Sequence, residues 1–405
     1  MQHFSYLSAT EQEQIFYKKP MEFSKGLEKE MLAYALGATL YMPGTRIQIA
    51  HDILSGKYLK GKHEGLASMV FCLEDSISDD EVEIAELNIV TQVQEVHIAI
   101  LSGFFKLTDL PLIFIRIRNP EQMIQLISQL GEAAQLISGF VFPKFTHLNG
   151  EAYLKTLLQL NEDYSLKLYG MPIFESPEII YIETRAETLI AIKALLDQYY
   201  DLILNVRIGA TDFSGLFGIR RSSDTTIYDI AVIRDCITDI INVFARSERE
   251  YVISGPVWEY FHGTKRILKP QIRQTPFQQA FGRSGLELRS EIISRFEDGL
   301  IHEVLLDKTN GIVGKTIIHP SHIQTVQSLN VVTFEEYIDA KSIMDSAESF
   351  NGVIKSDFSN KMNEVKPHHN WARKTMMKSN IYGVFHEQQS FIELLSRKQE
   401  EYVFI

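Results

Sequence analysis

Short apolar runs alternate with longer segments of helical periodicity along most of this chain. The runs are rich in β-branched and aromatic residues, and most end at a polar residue, a glycine or a proline. Runs of this kind predict buried strands, and their alternation with helices predicts a parallel sheet with crossover helices. Eight strands are predicted in this way, at residues 39–42, 67–73, 111–117, 139–142, 166–174, 202–208, 251–254 and 314–320.

This alternation of strands and helices predicts the α/β class and, within it, a (β/α)8 or TIM barrel. The count of eight, with polar residues after nearly every strand, favours a closed barrel, and a doubly wound open sheet is the alternative. The helices are predicted over residues 27–36, 81–105, 226–246 and 285–306. We therefore divide the chain into three parts, which are an N-terminal helical extension (1–36), the catalytic barrel (37–330) and a C-terminal helical tail (331–405).

The tail differs in character from the barrel. Residues 334–349 predict an amphipathic helix, a polar link follows, and a second helix begins near Pro367. Apolar positions such as Ile338 and Phe350 would be partly exposed in a monomer. We therefore expect a homo-oligomer, with the tail lying over the barrel mouth or over a neighbouring subunit.

Composition narrows the class of protein. The 405 residues are 45% hydrophobic and 23% charged, which is enough for one large core with an appendage. A net charge of −12 disfavours nucleic-acid binding through a broad basic face, and no run approaches the roughly 20 apolar residues of a membrane span. The two cysteines lie in apolar surroundings, and the first residues do not have the pattern of a signal peptide. We expect a cytoplasmic enzyme with reduced thiols.

Two carboxylates stand out because each closes an apolar run. Glu175 ends one run and Asp212 follows the next, 212 − 175 = 37 residues later, about the length of a strand, a helix and two loops. Parallel strands joined by one crossover helix would bring both carboxylates to the same sheet edge. Hard oxygen ligands placed there suit Mg²⁺. Two ordinary loop acids are the alternative, and for the pair considered alone that alternative is favoured.

Other motifs carry less weight. The segment 311–316 resembles a phosphate-binding loop, but the first glycine of that motif would fall at Thr309 and a strand follows, so a turn is the better interpretation. Ser176 and Ser214 lack the Gly-x-Ser-x-Gly context of a nucleophile elbow. Lys144, at the end of the fourth strand, is a candidate for a Schiff base. We rank this imine route below the metal route.

Seven short segments contain further motifs, at residues 40–46, 73–76, 115–119, 142–144, 173–175, 209–212 and 314–320. Taken together and in order, they resemble the citrate lyase β-subunit/HpcH–HpaI aldolase superfamily. The resemblance is greatest to its bacterial branch described as C–C bond lyases of the TIM-barrel fold, found near tellurite-resistance and stress genes. The tail segment 361–364 is similar to the end of that superfamily.

The resemblance implies roles for individual residues. It makes Glu175 and Asp212 the ligands of Mg²⁺. It implies catalytic roles for Arg116, Asp75 and Glu364, and substrate contacts for Arg46, Glu74, Arg116, Arg118, Pro143 and Lys144. Arg118 stands where the family usually has Asn, so both arginines stay candidates for gripping the substrate. Glu364 stands where relatives keep an Asp general base, often contributed by a neighbouring subunit.

The chemistry implied is Mg²⁺-dependent carbon–carbon bond cleavage. The expected substrate is a small anion, a 2-oxo or 2-hydroxy acid or its coenzyme A thioester, cleaved through a stabilised enolate. One alternative is a Mg²⁺-dependent acyl-thioester hydrolase on the same scaffold. The other is a non-catalytic subunit of a stress-response biosynthetic complex. The identity of the substrate, the involvement of coenzyme A and the size of the oligomer stay open at this point.

Overall fold

Eight parallel strands close a barrel in the computed structural model, which describes residues 1–61, 63–261, 277–278, 282, 284–285, 295–347, 352–358 and 360–400. The strands are β1 (Phe16–Lys18), β2 (Ala38–Pro43), β3 (Ser68–Cys72), β4 (Leu112–Arg116), β5 (Ile137–Phe142), β6 (Tyr169–Phe174), β7 (Val206–Ile208), β8 (Ile253–Trp258), β9 (Lys315–Ile317), β10 (Val353–Lys355), β11 (Met362–Glu364) and β12 (Val384–Phe385). The barrel order is β2 to β9 in sequence, and β9 pairs with β2. The predicted TIM barrel is therefore confirmed, and the open sheet is wrong.

Helices follow the barrel strands and cover the ends of the chain. They are α1 (Ala9–Ile15), α2 (Lys29–Ala35), α3 (Ile49–Leu54), α4 (Val82–Leu101), α5 (Pro120–Leu130), α6 (His147–Asp163), α7 (Pro177–Ile180), α8 (Arg185–Gln198), α9 (Ala210–Leu216), α10 (Ala231–Phe244), α11 (Arg295–Thr309), α12 (Ile323–Asn330), α13 (Phe334–Ala347), α14 (Val365–Tyr382) and α15 (Phe391–Glu400). Short 3-10 turns occur at Asp79–Glu81, Leu107–Asp109, Gly131–Leu136, Tyr200–Leu202, Ile227–Asp229 and Pro320–His322. In the described ranges, no helix has the length and apolar character needed to cross a bilayer.

The barrel strands are apolar because both of their faces are covered. Every residue of β3, β4, β5 and β6 is buried, between the barrel interior and the surrounding helices. A strand covered on both faces has a nearly continuous apolar sequence, so these runs were recognisable without strict alternation.

Closure of the barrel depends on a glycine just before β9. Gly314 has a φ of +74°, and a Cβ there would lie 2.6 Å from the carbonyl oxygen of Gly37. Only glycine tolerates both conditions without strain. The Lys315 amide then donates to the same Gly37 oxygen at 2.9 Å, and Ala38 pairs with Lys315 in register. The segment 311–316 is thus a turn into a strand.

The two ends of the chain meet at the N-terminal end of the barrel. β1 pairs with β12, and the Tyr382 hydroxyl donates to the Tyr34 carbonyl oxygen at 2.6 Å. Aromatic residues of both ends, such as Phe4 and Phe385, join the cluster that fills the barrel interior. α14 packs on α2, so the tail lies at the end opposite the barrel mouth and not over the mouth of its own chain.

A short hairpin of β10 and β11 overlaps the polar link predicted between the two tail helices and extends beyond it. β10 and β11 pair antiparallel, with Val353 opposite Glu364. The buried Asp339 of α13 holds the hairpin, because it accepts hydrogen bonds from Ser356 (2.7 Å) and Asn363 (2.9 Å). These contacts join residues that are separated along the sequence by about the length of a helix, and local sequence patterns do not reveal such contacts.

Some predictions fall outside the described residues. These are positions 286–294 of the helix predicted over 285–306, positions 348–349 of the helix predicted over 334–349, the apolar position Phe350, and the last five residues of the tail. The division into extension, barrel and tail at residues 36 and 330 stays a prediction.

Candidate active site

Charged side chains meet at the carboxyl ends of five neighbouring barrel strands. Each is the last residue of its strand or follows it within a few positions, so the strand ends themselves bring the charges together. The set consists of Glu74 and Asp75 after β3, Arg116 at the end of β4, Lys144 after β5, Glu175 after β6 and Asp212 in the first turn of α9 after β7. We call it the carboxylate cluster.

Arg116 lies at the centre of the carboxylate cluster. Its Nη2 atom is 2.7 Å from Glu74 Oε2, 3.0 Å from Asp75 Oδ2 and 3.0 Å from Glu175 Oε1. The side chain is only 9% exposed. Burial lowers the pKa of this guanidinium, but the carboxylates, Glu175 foremost, outweigh the effect and raise it. Its Nε atom is buried with no hydrogen-bond partner among the described residues, so one donor remains available.

Lys144 bonds to the carboxylates of the cluster through both its backbone and its side chain. It has a φ of +48°, which is uncommon for a residue other than glycine and marks a constrained position. In this conformation its backbone N–H donates to Glu175 Oε1 at 2.8 Å. Its Nζ atom is bonded to Glu74 and lies 3.3 Å from Asp75 Oδ1. The lysine therefore joins the carboxylates of two separate strands.

Glu175 and Asp212, the predicted metal ligands, lie within hydrogen-bonding reach of each other. Burial, together with the charge of Asp212, raises the pKa of the Glu175 carboxyl to about 7 despite Arg116. Burial and the charge of Asp75 raise the pKa of Asp212 as well. Gly209 makes this approach possible, since a Cβ there would lie 2.3 Å from Glu175 Cβ. Glu175 is buried and Asp212 is half-buried, and two acids so close to each other are stabilised by a bound cation.

The other two carboxylates have unlike environments. Burial and the hydrogen bond with Asp75 raise the pKa of Glu74. For Asp75, burial is outweighed by the hydrogen bond with Glu74 and by the charges of Arg116 and Lys144, so its pKa is lowered. Glu74 is buried, whereas the Asp75 side chain is 47% exposed and faces the mouth.

The cluster carries an excess of negative charge. Four carboxylates and two cations leave 4 − 2 = 2 negative charges when every group is ionised. A divalent cation would balance this excess. Among the described residues there is no group of three or more His, Cys, Asp or Glu side chains arranged to hold a metal. Glu175 and Asp212 would thus supply two ligands and leave the remainder to water and substrate, as Mg²⁺ commonly accepts.

A second arginine lies inside the barrel and was missed by the sequence reasoning. Arg207 is buried, and its Nη2 atom donates to Thr316 Oγ1 at 2.7 Å. Its guanidinium carbon lies 5.5 Å from the centre of the Tyr41 ring. Strand alternation was the available signal, because Val206 and Ile208 face the helices and Arg207 between them must face inward.

The remaining predicted residues lie elsewhere. Arg46 is paired with the buried Asp52, and Arg118 bonds the Leu73 carbonyl oxygen and the Asp79 carboxylate. Pro143 is buried directly before Lys144. Glu364 is exposed at the end of β11, and its amide donates to the His368 Nδ1 atom at 3.2 Å. Of the two candidate arginines, the structure brings Arg116 to the carboxylates, and it does not bring Glu364 there within one chain.

Comparison with known proteins identifies relatives of this chain. The family model described as C–C bond lyase of the TIM-barrel fold matches residues 30–384. No curated protein sequence matches significantly. Among solved structures, protein CitE from Mycobacterium tuberculosis in complex with magnesium, acetoacetate and coenzyme A has 13% identity and a TM-score of 0.50, with 86% of this chain and 99% of that chain covered.

Two further solved structures also match this chain. The citrate lyase beta subunit from M. tuberculosis, complexed with oxaloacetate and magnesium, is 14% identical, with 73% of this chain and 96% of that chain covered and a TM-score of 0.42. The malate synthase of Haloferax volcanii, in a magnesium/glyoxylate complex, is 12% identical, with coverage of 77% and 84% and a TM-score of 0.46. At such identities the likeness shows the fold alone.

Proposed function

This chain belongs to the C–C bond lyase family of the TIM-barrel fold, and on that premise we propose that it is a Mg²⁺-dependent lyase of a 2-oxo or 2-hydroxy acid or its coenzyme A thioester. The relatives whose structures contain magnesium hold small acids, and one also holds coenzyme A. The association with tellurite-resistance genes and the cytoplasmic location stay predictions.

The excess of two negative charges in the carboxylate cluster carries this proposal. Glu175 and Asp212 would hold the ion, which when bound supplies a Lewis acid for a substrate oxygen. The Lys144 backbone N–H and Arg116 both bond Glu175 Oε1, so this carboxylate is already oriented before any ligand arrives. A preformed, oriented site loses little free energy to reorganisation.

Arg116 is the group that would bind the substrate. A guanidinium offers five N–H donors in a fixed fork, and the Nε of Arg116 has no hydrogen-bond partner among the described residues. When the bond between two carbons breaks, the electron pair moves onto the fragment that becomes an enolate, and Arg116 stabilises the charge on its oxygen. The proton leaves the hydroxyl of the other fragment for a carboxylate base.

We propose Glu364 of a neighbouring subunit as that base. In its own chain, Glu364 lies on the hairpin at the exposed end of β11 and is bonded through its amide to His368. The contact of α14 with α2 places the tail at the N-terminal end of its own barrel, away from the carboxylate cluster. An intermolecular base therefore requires a homo-oligomer, which we also propose.

The experiment is to incubate the purified protein with cell metabolites, with and without Mg²⁺, and to identify consumed compounds by mass spectrometry. Consumption that depends on Mg²⁺ and releases two carbon fragments is the expected result. Release of free thiol without carbon–carbon cleavage would favour the thioester hydrolase, and no consumption would favour a non-catalytic subunit. Either of these results would refute the proposal.

Variants locate the activity in the cluster. Asp212→Asn should weaken Mg²⁺ binding by at least about tenfold in calorimetry, because an anionic ligand is replaced by a neutral amide. Arg116→Lys keeps the charge but loses the fork, so Mg²⁺ binding should persist while the substrate affinity falls. Glu178→Gln, an exposed acid three residues from Glu175, is the control and should change neither quantity. Equal Mg²⁺ affinity in Asp212→Asn and the native protein would show that the ligands are wrongly assigned.

A further inference from the structure

A cavity of about 530 Å³ lies at the N-terminal end of the barrel, away from the carboxylate cluster. We call it the basal cavity. Its lining includes Leu112 at the start of β4, four residues from Arg116 along the same strand, so the cavity and the cluster are separated by roughly 13 Å of strand. Nothing in the proposed lyase chemistry uses this space.

The walls of the basal cavity are mostly apolar. Side chains from the end of α4, from the loop before β4 and from the 3-10 turn before β5 form them, such as Ile100, Leu110 and Leu136. A volume of this size lies within the range of small-molecule sites, which are typically about 300–1,000 Å³ and apolar with few polar groups. Leu101 and Leu107 line the cavity as well and are exposed, so an apolar ligand would meet an apolar entrance.

The ionisable side chains that line this cavity are basic. Lys25, Lys167 and His97 line it, and no Asp or Glu does among the described residues, although the whole chain has a net charge of −12. Lys25 Nζ is bonded to the backbone carbonyl oxygens of Gln135 and Ile137. An ammonium has three N–H donors, so one donor of Lys25 is left for a ligand.

A buried hydroxyl provides a second, independent indication of a ligand. Ser138 lines the cavity, is 1% exposed, and its Oγ atom has no hydrogen-bond partner among the described residues. Buried polar groups in folded proteins are almost always paired, so an unpaired hydroxyl at a cavity wall indicates a missing partner. Ser138 directly follows Ile137, whose carbonyl oxygen accepts from Lys25 at 3.3 Å. The ammonium is thus bonded to the residue next to Ser138, and both residues line the same cavity.

We propose that the basal cavity binds an amphiphilic monocarboxylate, with its carboxylate on Lys25 and Ser138 and its alkyl chain against the apolar wall. Burial lowers the pKa of the Lys25 ammonium to about 8, and a bound carboxylate would offset this unfavourable effect of burial. The other cavity at this end of the barrel, about 390 Å³, is a poorer candidate, because its Arg373 is already paired with Glu250.

The test is calorimetric titration of the full-length protein with three probes, decanoate, decanol and acetate. Decanoate carries both the charge and the chain, decanol only the chain and acetate only the charge. We expect decanoate to bind at one site. Decanol should bind at least about tenfold more weakly, since a hydrogen bond between charged groups contributes at least that much. Acetate should also bind at least about tenfold more weakly, because it lacks the chain whose burial contributes about 0.8 kcal/mol per CH₂. Equal binding of decanol and decanoate, or no binding of decanoate, would overturn the proposal.

Variants then test whether decanoate binds in the basal cavity. Lys25→Gln should weaken the binding of decanoate by at least about tenfold and leave the binding of decanol unchanged. Lys106→Gln, an exposed lysine that does not line the cavity, is the matched control and should bind decanoate like the native protein. Ile100→Trp would fill the cavity and should block both probes. Native decanoate affinity in Lys25→Gln or in Ile100→Trp would refute the site.

Ser138→Ala distinguishes a binding role from a structural one. This change removes a buried hydroxyl that lacks a partner, so the ligand-free protein should unfold at an unchanged or higher temperature. Decanoate affinity should nevertheless fall by a few-fold. A variant that loses stability and keeps the native decanoate affinity would show that the hydroxyl serves packing alone.

Discussion

Gly209 offers the sharpest test of the carboxylate cluster, because one methyl group added there must displace Glu175. A Cβ at position 209 would lie 2.3 Å from Glu175 Cβ and 2.4 Å from its Oε2. Favourable contacts between such atoms are about 3.5–4.0 Å. The first of these atoms is the base of the side chain, so rotation of the carboxylate alone cannot relieve the clash. Gly209 has a φ of −91°, and alanine is therefore not strained by the backbone conformation at this angle.

The magnitude follows from the burial of Glu175, which is only 4% exposed. Overpacking of this kind costs about 1–3 kcal/mol of unfolding free energy. Gly215, six residues later in α9, is the matched control, because nothing lies within 4 Å of a Cβ built there. Alanine is the better helix former, so Gly215→Ala should stabilise the protein by up to about 1 kcal/mol.

The assay is urea unfolding of both variants together with Mg²⁺ calorimetry. Mg²⁺ requires nearly ideal geometry, with oxygen ligands at about 2.1 Å. A displaced Glu175 should therefore lower the Mg²⁺ affinity of Gly209→Ala by at least about tenfold, which is 1.4 kcal/mol, while Gly215→Ala keeps it. Native stability and native Mg²⁺ affinity in Gly209→Ala would refute the reasoning about both the packing and the metal ligands.

Three further predictions concern stability and assembly. Lys315→Met should cost about 3–5 kcal/mol in urea unfolding, because the buried Asp307, 2.7 Å from the ammonium, loses its cation. Glu303, 2.9 Å from the same ammonium, keeps only its pairing with Arg221. Burial lowers the pKa of His3 from 6.5 to about 3, so the unfolded chain binds the extra proton and stability falls as the pH drops below 6.5. The loss of unfolding free energy is about 2 kcal/mol at pH 5. The variant His3→Phe keeps a ring stacked on Tyr382 and should remove this part of the pH dependence. Light scattering at micromolar concentration should give a mass above the 46.4 kDa of one chain, and a monomer would contradict the proposed intermolecular base.

The barrel was predictable because its signal is local and repeated. Runs such as 111–117 are buried on both faces as β4, so their apolar character is nearly continuous. The ends of parallel strands meet at one edge of the barrel, and for this reason the positions of Glu175 and Asp212 predicted that they would meet. Both predictions, the barrel and the meeting of the two carboxylates, follow from local strand patterns and from the order of the strands. Neither required knowledge of a particular side-chain contact between distant parts of the chain.

The choice between Arg116 and Arg118 was not available from the sequence. The two positions differ by two, and alternation in a continuous strand would place them on the same face. The strand ends at Arg116, so alternation no longer applies two residues later, and Arg118 turns to the Leu73 carbonyl oxygen. Strand ends are the least predictable part of a strand assignment, and in this barrel the reactive groups lie at those ends.

Lys144 shows how the geometry bears on the chemistry that the sequence left open. A lysine that forms a Schiff base must lose its proton, which requires a pKa lowered by burial or by a neighbouring cation. Burial does lower the pKa of Lys144, but hydrogen bonds and charges from Glu74 and Asp75 outweigh it and raise the pKa above its usual value. The amine is therefore held protonated, as a partner of carboxylates. The imine route needs Lys144 neutral and would leave the cluster with three uncompensated negative charges, whereas the metal route uses the lysine in the state that the structure favours.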